Sequence, residues 1–182
     1  MTIFSENCTM KTILLLCSMV LLYSCGPSVY VDFEKNQDFS EFSTYKFYPD
    51  IDSGLNELDD KRVKYAIDSV LQQQGFTKSN FNRFYINFYA NESVSNSRNT
   101  IGIGIGGGGG NVGVGVSGGI PIGGRTINQQ LTIDIIDAHK DQQLVWQAVI
   151  EGDLKEKATP KQKEAYYYNI LQKALKKFPP KK

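Results

Sequence analysis

The chain has 182 residues, 41% of them hydrophobic and 21% charged, with a net charge of +1; this fits one domain plus a short targeting segment, and the near-neutral balance excludes a broad basic surface for nucleic acid. Its three cysteines, Cys8, Cys17 and Cys25, all lie near the start, and His139 is its only histidine. The rest of the chain can therefore build neither an internal disulfide nor a metal site of several thiolates or imidazoles, and no metal or other cofactor is expected.

Near the N-terminus, Lys11 and Thr12 precede an apolar run over 13–23. The run is shorter than the ~20 residues that cross a bilayer as a helix and matches the roughly 7–15-residue core of a signal peptide. It leads into Leu22-Tyr23-Ser24-Cys25-Gly26. An aliphatic residue three before a cysteine, with a small residue directly before it, resembles the lipobox of bacterial lipoproteins; Tyr23 is larger than the usual residue there. The small Ser24 suits a peptidase pocket, and the free thiol of Cys25 suits transfer of a diacylglyceryl group. The expectation is a signal peptide over 1–24 and a single mature domain over 25–182, lipidated at Cys25 by palmitate-type chains. No acidic residue directly follows Cys25, so the outer membrane, facing the periplasm, is the expected location. Met10, directly before Lys11, is a second candidate start.

In chain order, 29–33 alternates as a strand does, and 39–48 is aromatic and β-branched up to Pro49, which reads as turn then strand. Asn56 is placed to cap a helix reaching Gln74, with Val63, Ala66, Ile67, Val70 and Leu71 as its apolar stripe. Gly75 suits the position after the helix, with Phe76 folding back on the last turn. Over 81–90, Phe84, Ile86 and Phe88 share one strand face and Tyr85 and Tyr89 the other. A glycine-rich insertion over 98–124 follows. There Ile101, Ile103 and Ile105, then Val112, Val114 and Val116, alternate with glycine around a glycine centre, a pattern that predicts a hairpin with its branched residues on one face. Strands are expected at 129–137 and 144–150 around a turn at 138–141. Thr159, Pro160 and Gln162 open the last helix with a capping box, and Ala165, Tyr166, Ile170, Ala174, Leu175 and Phe178 form its stripe. The predicted architecture is α+β: a largely antiparallel sheet, two helices packed on one face, and a glycine-rich hairpin.

Sharper functional readings of individual residues fail on context. Gly102 to Gly107 permits a G-x-G-x-x-G pattern, but more glycine and valine follow where a nucleotide fingerprint needs a helix. Ser117 lies in a near-elbow of glycines without the strand-to-helix setting of a nucleophile. Asp134 and Asp137 fall on opposite strand faces by parity, His139 sits in a turn with no nucleophile nearby, and Trp146 reads as core. No catalytic residue is assigned. The uncharged branched residues Ile103, Ile105, Val112 and Val114 are the candidate contact surface for a partner or membrane, against the plainer reading of an edge hairpin.

Taken together, several pieces resemble the lipoprotein family called domain-of-unknown-function family 4136. They are Cys25, the segment 38–48, the helix end at 71–76, the glycine-rich middle, 131–137 leading to 144–148, and Phe178-Pro179. The resemblance covers nearly all of the mature chain. It implies a cell-envelope lipoprotein and brings no activity, cofactor or catalytic residue. The expected function is a non-enzymatic binding or assembly module held at the membrane by its lipidated cysteine, with other envelope proteins as partners. The alternative is a small-ligand binder or hydrolase acting on envelope glycan or lipid, which would need a deep pocket with converging groups such as Asp32, Asp134 or Tyr85.

Overall fold

A computed structural model describes residues 26–95, 100–101, 120–121 and 125–181. The elements are β1 (Ser28–Phe33), β2 (Thr44–Phe47), α1 (Glu57–Gln73), β3 (Thr77–Lys78), β4 (Phe84–Ser95), β5 (Thr100–Ile101), β6 (Ile120–Pro121), β7 (Thr126–Asp137), β8 (Leu144–Lys155) and α2 (Pro160–Leu175). Six strands form one sheet in the order β1-β8-β7-β4-β2-β3, and β5 and β6 form a separate antiparallel pair. From β1 through β4 every neighbour is antiparallel, whereas β2 runs parallel to both β3 and β4. The change of sense follows from α1: a helix inserted between β2 and β4 carries the chain back to the same end of the sheet, as parallel pairing requires. The fold is α+β.

Local chemistry sets both helix starts and the first helix stop. The Asn56 side-chain oxygen accepts from the backbone N–H groups of Leu58 and Asp59 at 3.2 and 3.1 Å, two donors that the first turn leaves without intrahelical partners. At the other end of α1, Gly75 takes φ of 92°. The Gly75 N–H then reaches Gln72 O, and the Phe76 N–H reaches Leu71 O, both at 3.0 Å; together they close the helix as a Schellman turn. Thr159 and Gln162 cap α2 reciprocally, at 3.3 and 2.9 Å, with Pro160 in the first turn.

Alternate strand residues form the core. Phe84, Ile86, Phe88 and Ala90 of β4, Leu131, Ile133 and Ile135 of β7, and Trp146, Ala148 and Ile150 of β8 all face the helices. Val63, Ile67, Val70 and Leu71 of α1 meet them, as do Tyr167, Ile170, Leu171 and Ala174 of α2. A bulge between Ile135 and Ile136 slips the β7–β8 register, so the adjacent Val145 and Trp146 are both buried. At the lower end Phe178 closes the core with an aromatic cluster, its ring 5.3 Å from Trp146, 5.5 Å from Phe84 and 5.5 Å from Phe76.

The outer edge of β1 is covered from the helix layer. The Glu34 N–H reaches Val145 O at 2.9 Å, and the alternation of an antiparallel ladder then turns the carbonyls of Val29 and Pro27 outward. Lys177 Nζ donates to Val29 O at 2.9 Å and Lys173 Nζ to Pro27 O.

Candidate functional site

The long strands β4, β7 and β8 each have 12 residues and outrun β1 and β2. In the covered part of the sheet, one inward row reads Ala90, Leu131, Ile150, Val29 across the strands. One step further out the same row reads Glu92, Gln129, Gly152. Here α2 crosses with Tyr166 and Tyr167, and a cleft of about 810 Å³ opens. Its walls include Glu92, Gln129, Glu151, Gly152, Asp153, Tyr166 and Asn169, and Gly26, Pro27 and Ser28 form one side.

Gln129 organises the floor. Its Nε2 donates to Glu92 Oε1 at 2.7 Å and to the Tyr167 hydroxyl at 3.1 Å. The side chain is almost fully buried, and its Oε1 has no hydrogen-bond partner. The Tyr166 hydroxyl is likewise buried and unpartnered. It lies above Gly152, where a Cβ would stand 2.8 Å from the phenol oxygen; only a residue without a side chain lets the ring sit there. Burial, then Tyr167, Asp153 and Glu92, raise the Tyr166 phenol well above its ordinary value. Burial pushes Tyr167 up to about 12. Both phenols are therefore neutral at physiological pH. The Glu92 carboxylate stands on the inward row, the side chains of Glu151 and Asp153 alternate to the opposite sheet face, and no Lys, Arg or His lines the cleft among the described residues. Such a site accepts hydrogen bonds and favours positive charge.

Two other charged clusters are paired internally, although the Nε atoms of Arg62 and Arg83 have no hydrogen-bond partner. Asp59 accepts from Lys163 Nζ at 2.6 Å, Arg62 at 2.7 Å and Asn56 at 2.7 Å, tying the start of α1 to α2. Burial works against its charge, but these bonds outweigh burial and hold its carboxyl below the usual range. Asp137, fully buried at the end of β7, pairs with Arg83 and takes the His139 N–H at 2.9 Å. Burial again opposes the charge, and the Arg83 and His139 bonds again bring its pKa down. Arg83 also lies over the Phe42 ring, 4.9 Å from its centre. These groups fasten chain segments to one another.

Cys25 and the candidate contact residues Ile103, Ile105, Val112 and Val114 lie outside the described residues. Asp32, Asp134 and Tyr85 fall on the sheet face away from the helices and do not converge on a pocket. Asp32 takes the Phe33 N–H at 2.9 Å, Asp134 takes Gln147 Nε2 at 2.8 Å, and Tyr85 sits edge-on to Tyr48 at 5.7 Å. Asp134 and Asp137 are on opposite faces, His139 is exposed in a turn, and Trp146 is core. Reading the sequence missed Glu92, Gln129, Gly152 and Tyr166 as a site. Parity was the available signal: Gln129 shares the inward face of Leu131, Ile133 and Ile135, where a polar residue is the exception.

The family described as Domain of unknown function (DUF4136) matches residues 29–180. Among solved structures, the chain is similar to a PDZ domain protein from Parabacteroides distasonis ATCC 8503, with a TM-score of 0.52 and 16% identity over 91% of this chain. It covers 39% of that chain, so it spans well under half of that protein's length. It is also similar to the PelC dodecamer protein from Paraburkholderia phytofirmans, with a TM-score of 0.48 and 11% identity over 82% of this chain and 95% of that one. A comparison with curated proteins finds no match. At 16% identity the likeness to the Parabacteroides protein speaks for the fold alone.

Proposed function

The chain belongs to the family described as Domain of unknown function (DUF4136), and from that premise we propose that it is a non-enzymatic binding module of the cell envelope, anchored by a lipid on Cys25 and facing the periplasm from the outer membrane. One observation carries the reading: a polar cleft whose floor holds a buried, unpartnered acceptor on Gln129. Buried polar groups without partners are uncommon, and here the orphan belongs to the wall of a cleft. Gly26 lines that cleft and is the residue after Cys25. Consecutive Cα atoms are about 3.8 Å apart, so a lipid on Cys25 brings the cleft to the membrane surface. Two acyl chains suffice for stable anchoring, where one is marginal.

Binding fits the cleft better than bond cleavage does. Glu92 already accepts from Gln129, and Tyr166 and Tyr167 are held in their neutral forms. Among the described residues, the lining contains no pairing of a nucleophile with a base.

The test uses the full chain expressed in a Gram-negative host. Palmitate should be incorporated by the parent and not by Cys25→Ala. A photo-crosslinking residue at Asn169, on the cleft wall, should capture adducts that the same residue at the exposed Tyr65 of α1 does not. Label retained by Cys25→Ala would overturn the anchor; identical adducts from both positions would overturn the site. Repeating the capture after deletion of 98–124 tests whether Ile103, Ile105, Val112 and Val114 take part.

A further inference from the structure

We propose that the cleft takes an ammonium group, a primary amine on a small polar body, with Glu92 as its counter-charge and Gln129 Oε1 as its buried acceptor. The proposal rests on the binding-module reading and names the chemistry of its ligand.

The direction of the Gln129 amide is fixed by its neighbours. Nε2 faces the Glu92 carboxylate at 2.7 Å and the Tyr167 hydroxyl at 3.1 Å. Turning the amide over would set its oxygen against a carboxylate, which only accepts hydrogen bonds. Oε1 is therefore held as an acceptor with both amide donors already used. Register places Glu92, Gln129 and Gly152 side by side on three strands, at strand spacings of about 4.7–4.9 Å, and the unpartnered Tyr166 hydroxyl lies over Gly152. The inward row thus offers three acceptors in succession: a Glu92 carboxylate oxygen, the Gln129 amide oxygen and the Tyr166 phenol oxygen. An ammonium brings three donors and no acceptor. Charge agrees with geometry, because the Glu92 carboxylate stands on the inward row with no cation among the described lining residues. Lys173, the nearby cation, is turned to the Pro27 carbonyl. An anion would meet the Glu92 carboxylate here, and a hydrocarbon would leave the buried oxygens unpaired.

The amine has two sources: a free small amine, or the ethanolamine headgroup of a phospholipid beside the anchor. The test uses the full chain in nanodiscs of phosphatidylglycerol, titrated with ethanolamine and, separately, with ethylene glycol as the neutral analogue. The side-chain amide resonance of Gln129 is the readout. A saturable shift with ethanolamine and none with ethylene glycol is expected. Glu92→Gln keeps an acceptor for Gln129 and removes the charge, and should weaken ethanolamine binding at least tenfold. Tyr166→Phe should weaken it several-fold. If nanodiscs containing phosphatidylethanolamine produce the shift without added amine, the headgroup is the source; if only the free amine does, the source is soluble. No shift with ethanolamine and none in phosphatidylethanolamine discs would overturn the proposal, as would equal affinity in Glu92→Gln. Binding of ethylene glycol alone would also overturn the ammonium while leaving the binding-module reading intact.

Discussion

Strands β4, β7 and β8 use one backbone ladder for two kinds of chemistry. Over their lower part, the inward row is Ala90, Leu131 and Ile150, buried in the core; over their outer part it is Glu92, Gln129 and Gly152, where α2 is the one described helix crossing above. Hydrogen-bonded pairing is the same in both. What differs is the cover, and with it the cost of polarity. Under the helices a polar side chain would be buried with few partners, so this row is apolar. Beyond them the ladder continues on backbone pairing, and the side chains are free to form a site.

That contrast makes its strongest prediction in the covered part. Phe84 is fully buried, with the rings of Phe42 and Phe178 5.3 and 5.5 Å away. Phe84→Ala should cost about 3–5 kcal/mol, read as a lower denaturant midpoint. A smaller effect comes from the pin between the helices. Asp59→Ala leaves Arg62 and Lys163 without their shared carboxylate and should cost about 2–3 kcal/mol, the lower range because both cations keep some contact with water.

The same pin fixes the acid response. The Asp59 and Asp137 carboxyls titrate lower folded than unfolded, so the unfolded chain binds protons first as pH falls. Their stabilisation should be complete above about pH 4 and vanish as pH drops through the lower folded values. Acid unfolding followed by circular dichroism should move to higher pH in a protein made less stable at these sites.

In the outer part the effects shrink. Gly152→Ala sets a Cβ against the Tyr166 hydroxyl and should cost about 1–2 kcal/mol, measured by thermal unfolding, with loss of ligand capture out of proportion. A cost as large as that of Phe84→Ala would show the outer ladder to be a second core and dissolve the comparison. Smallest for the monomer is the double change Lys173→Ala with Lys177→Ala, expected within about 0.5–1 kcal/mol. Its readout is sedimentation, where concentration-dependent self-association should appear.

Legibility in the sequence follows the same division. Asn56, Gly75 and the Thr159–Gln162 box were readable because caps are local chemistry. The inward residues Phe84, Ile86 and Phe88, and Leu131, Ile133 and Ile135, were readable because burial imposes period two. The outer ends were not. The expected strands closed at Ala90 and Ile150 and opened at Gln129, whereas the sheet continues to Ser95 and Lys155 and begins at Thr126. Asn91 to Ser95 carries little apolar alternation, because most of it is exposed. The parallel placement of β2 was hidden as well, since four residues carry no sign of direction; the α1 crossover supplies it. The cleft was lost with the strand ends that build it.

The lysines over β1 bear on how copies of the chain behave when crowded together. An open edge strand is a template, and a second sheet can grow from it. With Val29 O and Pro27 O occupied by Lys177 and Lys173, a docking strand would have to displace two cations before gaining its first ladder bonds. A strand docking there would trade both lysine bonds for ladder bonds, which lowers its net gain.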